Sequence, residues 1–355
     1  MDRIGVIFGG RSREHEISVL SAASVMDAVN RENHEIVPIG INKRGEWFRI
    51  SADMSGLRSL DDERCESLIP KPGRETAGAR RIDLGEFARL ADFAFPLLHG
   101  PYGEDGTIQG LFEMLDMPYA GCGVACSAIS MDKILTKSIL ADAGFLVCRH
   151  VSTREFDFSE DKSRELNRIE EAFGYPIFVK PANMGSSVGI SKVRGREELE
   201  RAVALALRYD SRVLAEEAIN GREFEVSVLG NERPSVGVVG EIISRGEFYD
   251  YESKYRDGAA ELRIPADIPR ETAREIDELA LGAYKALDGA GFARIDFFLE
   301  EGSGKIYLNE VNTIPGFTAY SMFPLLWKAK GVTYPSLIER IIEFGYERHH
   351  AKNNR

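Results

Sequence analysis

Between Gly291 and Gly316 the chain reads GFARIDFFLEEGSGKIYLNEVNTIPG, two apolar runs split by a Glu-Gly-Ser-Gly turn. Residues two apart on a strand point to the same side. Arg294 and Asp296 on the first run, and Glu310 and Asn312 on the second, therefore form one polar face. Ile295, Phe297 and Val311 fall on the other face, which has to meet a core. The turn brings the second run back antiparallel to the first. Facing side chains then lie about 5 Å apart, give or take one register step. Three oxygen-donating side chains beside one arginine suit hard divalent cations that bridge phosphate groups. An exposed hairpin face could carry the same four residues with no such purpose, so the rest of the chain decides.

The 355 residues are enough for two or three packed units, and 43% hydrophobic with 29% charged residues describes a globular protein. A formal charge of −12 argues against a general nucleic-acid binder while leaving room for a local basic pocket. The apolar run in MDRIGVIFGG is far too short for a signal peptide, and no apolar stretch has the length of a membrane span. Cys65, Cys122, Cys126 and Cys148 include no CxxC pair and read as small buried residues in a reducing cytoplasm. The six histidines show no metal-ligand spacing, and His349-His350 are expected in a frayed tail.

Residues 4–8, IGVIF, followed by Gly9-Gly10 and a helical pattern over 14–29, predict a strand, a tight turn and a helix. Residues 36–41 and 93–98 predict further buried strands, so the first 120 residues form a small α/β unit. Residues 50–80 are polar and turn-rich and predict a surface excursion. A second unit starts near Met131 with the helix MDKILTKSILADAG, then a charged helix at 159–173. Strands at 177–180, 189–193 and 213–219 follow, with a helix at 196–209 between the last two. The third unit runs from about Glu223 to Gly345. It comprises the strand EFEVSVLG, a polar-aromatic loop, a helix at 270–287, the opening hairpin and a closing helix at 334–344.

Four further constellations bear on chemistry. Residues 180–189, KPANMGSSVG, join two strands with glycines and small hydroxyls that let backbone N–H groups approach phosphate oxygens, and Lys180 adds charge. No GK[ST] opens a helix, so this is not a Walker A loop. Lys133 at a helix start is a second candidate phosphate contact. Glu216, Ala218, Ile219 and Glu223 cluster at a strand end, with carboxylates for an adenine amino group and ribose hydroxyls and backbone groups for the ring edge. His99 opens a loop with three glycines in eight residues, and Glu14 lies in the first turn after a strand, where α/β units commonly bind ligands. Residues 248–262, FYDYESKYRDGAAEL, are too polar for a core and too aromatic for a passive linker, which suits a mobile lid.

At this point the residues match a family. The runs HGPYGEDGTIQG at 99–110 and GFARIDFFLEEGSGKIYLNEVNTIPG resemble the two signatures of the D-alanine–D-alanine ligases. GGRSREHEISVLSA, MDKILTK, KPANMGSSVGISKV, EEAINGREFEVSVLG and YDYESKYR resemble the remaining elements, in order, from Ile4 to about Gly345. The resemblance implies an ATP-grasp fold, α/β and α+β, preceded by a Rossmann-like α/β domain. The expected divisions are 1–121, 122–215 and 216–355, with a lid at 245–262. It implies ligation of two D-alanines through an acyl phosphate, with ATP as substrate, two Mg2+ (or Mn2+) ions and a homodimer.

On this implication Lys133 and Lys180 hold ATP phosphates, and Glu216, Ala218, Ile219 and Glu223 hold adenosine. Asp296, Glu310 and Asn312 hold the two metal ions. Glu14 takes the ammonium of the first D-alanine, with His99 close by. Ser186 and Tyr255 hydrogen-bond with Glu14 and tie the lid down. Lys254 and Ser321 take the second carboxylate or a nearby phosphate, while Arg294 and the Gly316 N–H face the oxyanion. The Tyr255 lid and the Ser321-Met322 pair resemble ligases that accept D-alanine second, whereas D-serine relatives tend to carry a basic residue where Met322 stands. Alternatives are a D-alanine–D-serine or D-lactate ligase and a non-catalytic nucleotide-binding module. A dinucleotide oxidoreductase is rejected, because IGVIFGG lacks G-x-G-x-x-G.

Overall fold

The computed structural model describes residues 1–60, 64–74, 76–244 and 260–354. Three sheets follow one another along the chain. The first holds β1 (Asp2–Gly9), β2 (His34–Ile41), β3 (Trp47–Ile50), β4 (Ala79–Ile82) and β5 (Phe93–Pro96), in the order β4-β3-β2-β1-β5. β1 runs parallel to β2 and β5. Its buried residues form a continuous apolar run, as strands covered on both faces require. The second sheet holds β6 (His150–Arg154), β7 (Ile177–Pro181), β8 (Ser191–Val193) and β9 (Arg212–Glu217), in the order β6-β9-β7-β8.

The third holds β10 (Gly221–Leu229), β11 (Ser235–Val236), β12 (Gly240–Ser244), β13 (Ala260–Arg263), β14 (Phe292–Glu300) and β15 (Ile306–Asn312). Its order is β13-β12-β10-β14-β15, with β11 on β10. The hairpin β14–β15 pairs Arg294 with Asn312 and Asp296 with Glu310, and its register shifts between Asp296 and Phe297. Ile295, Phe297 and Val311 are buried on the opposite face. The polar face is thus the expected one.

The packing divides unequally. One hydrophobic core runs from β1 and β5 to Phe292, Phe317, Phe323 and the last helix, Tyr334–Asn353, so the first and third units share an interior. The second sheet has a core of its own, built from residues such as Ile169, Ile177, Val179 and Leu199. The cleft between them is where the functional side chains gather.

Two expectations are corrected. Residues 50–80 are no mere surface excursion: Met54, Leu57, Cys65, Leu68 and Ile69 are buried in the shared core, and β4 adds an edge strand. Their apolar residues follow neither helical nor strand period, so spacing could not reveal them. His349-His350 belong to no frayed tail, because the last helix continues through them and His349 Nε2 lies 3.0 Å from Asp116. All four cysteines are free and buried. Among the described residues no helix is long and apolar enough to cross a membrane.

Candidate active site

One cleft is lined by Glu14, His99, Glu104, Lys133, residues 184–187, Arg294, Glu310, Asn312 and the loop 313–316. Glu14 precedes the first helix, His15–Ala28, and its Oε1 accepts a hydrogen bond from Ser186 Oγ. Ser186 and Ser187 both lie at positive φ, 49° and 58°, a region few L residues adopt. That backbone turns the β7–β8 loop toward the first unit. Gly100, at φ 75°, backs the other Glu14 oxygen, and a Cβ there would stand 2.8 Å from Oε2. Only glycine fits both constraints.

On the second sheet, Asp132 caps the helix Lys133–Asp142 by accepting from Ile134 and Leu135 N–H. Lys133 then opens the helix and donates to Met184 O at 2.5 Å, pinning the serine loop. Lys137 follows one turn later on the same face, buried, with Nζ 3.1 Å from Glu216. Lys180 pairs with the other Glu216 oxygen. Burial alone would push the Glu216 carboxyl up, but Lys137 and Lys180 outweigh it and hold its pKa at about 2. Burial would lower Lys180, yet Glu216 and Glu310 raise it. Ala218 and Ile219 lie in the link from β9 to β10, and Glu223 on β10.

On the hairpin, Arg294 Nε and a terminal nitrogen donate to the two Asp296 oxygens at 2.8 and 2.7 Å. Asn312 Nδ2 donates to Asp296 at 3.0 Å. Glu225, across from Asp296 on β10, lies 3.1 Å from Arg294 Nε, and Glu310 adds its field. Among the described residues no three His, Cys, Asp or Glu side chains already converge as ligands. The set still fits divalent cations: its donors are carboxylate and amide oxygens, and three carboxylates surround one guanidinium.

His99 Nδ1 donates to Ile314 O at 2.9 Å, which leaves Nε2, 3.0 Å from Ser21 Oγ, as the acceptor. Burial pushes its pKa down despite Glu14, so a neutral His99 fixes a loop with both nitrogens committed. Ser321 Oγ accepts from Thr318 N–H at 3.1 Å and lies beside Gly316, where a Cβ would stand 3.2 Å from it. Met322 packs with Ile242 and Leu326 under β12, away from the cleft lining. The expected lid contacts Lys254 and Tyr255 lie outside the described residues.

Sequence reasoning missed Glu104, Lys137 and Glu225. A signal existed for two of them. Lys137 is four residues from Lys133 on a helix, and Glu225 is two from Glu223 on a strand. Glu104 sits among turn residues with no period to mark it.

The D-ala D-ala ligase N-terminus matches residues 3–122, and the D-ala D-ala ligase C-terminus matches residues 139–343. The D-alanine–D-alanine ligase of Bacillus pumilus is 46% identical over 362 residues, spanning 98% of this chain and 97% of the relative. Among solved structures, the VanG D-Ala:D-Ser ligase from Enterococcus faecalis superposes with a TM-score of 0.85 at 35% identity, covering 97% of this chain and 99% of that one. The D-alanine–D-alanine ligase from Bacillus anthracis complexed with ATP gives 0.75 at 28% identity, covering 99% and 100%.

Proposed function

The chain belongs to the D-alanine–D-alanine ligase family and joins two D-alanines at the expense of ATP for peptidoglycan synthesis; from that premise we propose how its residues divide the work. The observation that carries the proposal is the single cleft where Glu14, Ser186, Lys133, Arg294 and the Gly316 backbone meet. A carboxylate is a poor electrophile, so the first D-alanine takes the γ-phosphoryl group of ATP and becomes an acyl phosphate, leaving ADP. Glu14 holds its ammonium, with Ser186 fixing the carboxylate. Lys133, Lys180 and the serine loop orient the phosphates, and Glu216, Ala218, Ile219 and Glu223 hold adenosine.

Asp296, Glu310 and Asn312 would hold two Mg2+ (or Mn2+) ions, whose chemistry there is to neutralise and orient phosphate oxygens. The amine of the second D-alanine attacks the activated carbonyl and phosphate leaves. Arg294 and the Gly316 N–H face the developing oxyanion, worth on the order of 3 kcal/mol. Ser321 and Lys254 belong to the second-substrate side, and Tyr255 to a lid that keeps water from the acyl phosphate. A cytoplasmic homodimer with domains at 1–121, 122–215 and 216–355 completes the proposal.

The likeness to a D-Ala:D-Ser ligase favours one second reading, D-serine at the second position. Phosphate release with Mg-ATP and D-alanine, alone and mixed with D-serine or D-lactate, tests both once products are weighed by mass spectrometry. D-Alanyl-D-alanine in excess supports the first reading. A predominant mixed product supports the second.

A further inference from the structure

The Ile314 peptide is gripped on both sides by the first unit. Its N–H donates to Glu104 Oε1 at 3.1 Å, and its carbonyl accepts from His99 Nδ1 at 2.9 Å. Glu104 Oε2 accepts from Gly100 N–H at 2.7 Å. Gly100 is the residue that backs Glu14, with space for no side chain between them. Ile314 stands two residues before Gly316, and both line the cleft. One carboxyl group thus touches the support of the ammonium site and, 210 residues further along the chain from Glu104 itself, the root of the oxyanion loop.

We propose that Glu104 is a positioning residue that holds Glu14 and the Gly316 N–H in register across the cleft. The inference rests on the roles given above to those two groups. Burial and the nearby Glu14 push the Glu104 pKa up to about 8, and what the geometry asks of the side chain is two acceptor oxygens, one for each N–H donor. Glutamine has the same size, but its NH2 would confront one of the donors. ATP is gripped mainly by the second sheet, so the loss of register should fall on amine attack. Small misplacements of reacting groups are known to cost about a hundredfold in rate.

The test uses E104Q and E104D in the full chain. Three readouts are needed: dipeptide turnover, the KM for ATP, and scrambling of the β,γ-bridging oxygen of labelled ATP with D-alanine, which reports phosphoryl transfer. For E104Q, turnover should fall by about 30- to 100-fold, with the ATP KM and scrambling within about threefold of wild type. E104D, which keeps two acceptor oxygens, should recover part of the loss and carries the test if E104Q fails to fold. Turnover within about threefold of wild type in both variants would overturn the proposal. So would a parallel loss of scrambling and ATP affinity, which marks a merely structural residue. Absence of scrambling in the wild type would instead count against the acyl phosphate, leaving the split between turnover and KM to judge Glu104.

Discussion

Two buried charge clusters border the cleft, one with two cations around a carboxylate and the other with three carboxylates around a cation. On the second sheet, Lys137 and Lys180 share the carboxylate of Glu216, and Glu310 also acts on Lys180. On the third sheet, Arg294 is held by Asp296 and Glu225, with Glu310 nearby. The positive side suits phosphate oxygens and the negative side suits divalent cations, and a metal-bound nucleotide offers both in one molecule. Counting ion pairs would make the two regions look alike; the sign of the charge in the majority separates them.

The comparison breaks first at Arg294. Arg294→Ala should cut turnover by about a hundredfold or more, through loss of an oxyanion donor. Divalent cation binding, followed by Mn2+ resonance, should survive, because the variant leaves the acidic cluster more negative still. Near-normal turnover would sink the role given to Arg294. Lys137→Met is the matching change on the basic side. It should destabilise the protein by about 3 kcal/mol, the usual cost of breaking a buried pair, measured by denaturant unfolding. It should also raise the ATP KM more than the D-alanine KM, and equal effects on both would argue against a phosphate-facing cluster.

How far the sequence foretold these clusters depends on where each member sits. The hairpin was legible because alternation and a Gly-rich turn fix the face and the register to within one step; that Arg294 stands opposite Asn312, past an irregularity after Asp296, came from the fold. Glu225 was not, because nothing in a strand's own sequence says which strand will lie beside it. Its nearness to Arg294 exists only once β10 pairs with β14. Lys137 and Glu216 are likewise joined by tertiary packing between a helix and a strand 79 positions further on in the chain. Glu216 was noticed as a nucleotide contact, while its pairing with two lysines emerged only from the fold. Residues 50–80 mark the opposite limit: with no regular period, their buried apolar residues gave no sign that they complete the shared core.

Acid sharpens the comparison next. Glu216 is held at about 2 against an ordinary value of 4.5. A carboxyl depressed on folding adds stability that is present above pH 4.5 and lost as pH falls toward 2. The amount is on the order of 3 kcal/mol. Denaturant unfolding at pH 5, 3.5 and 2.5 should show the decline, and Lys137→Met should blunt it. An unchanged slope in the variant would mean that Lys137 does little to hold Glu216 ionised.

The smallest effect is expected where a pair has the same chemistry without the burial. Lys162 Nζ lies 3.3 Å from Glu200, with side chains 58% and 48% exposed. Water screens both charges whether or not they meet, and holding two long side chains together costs entropy. Lys162→Ala should therefore change stability by less than about 0.5 kcal/mol. It should leave the ATP KM where it was, although Lys162 belongs to the same unit as Lys137. Should it cost as much as Lys137→Met, burial would no longer explain the contrast between the two pairs.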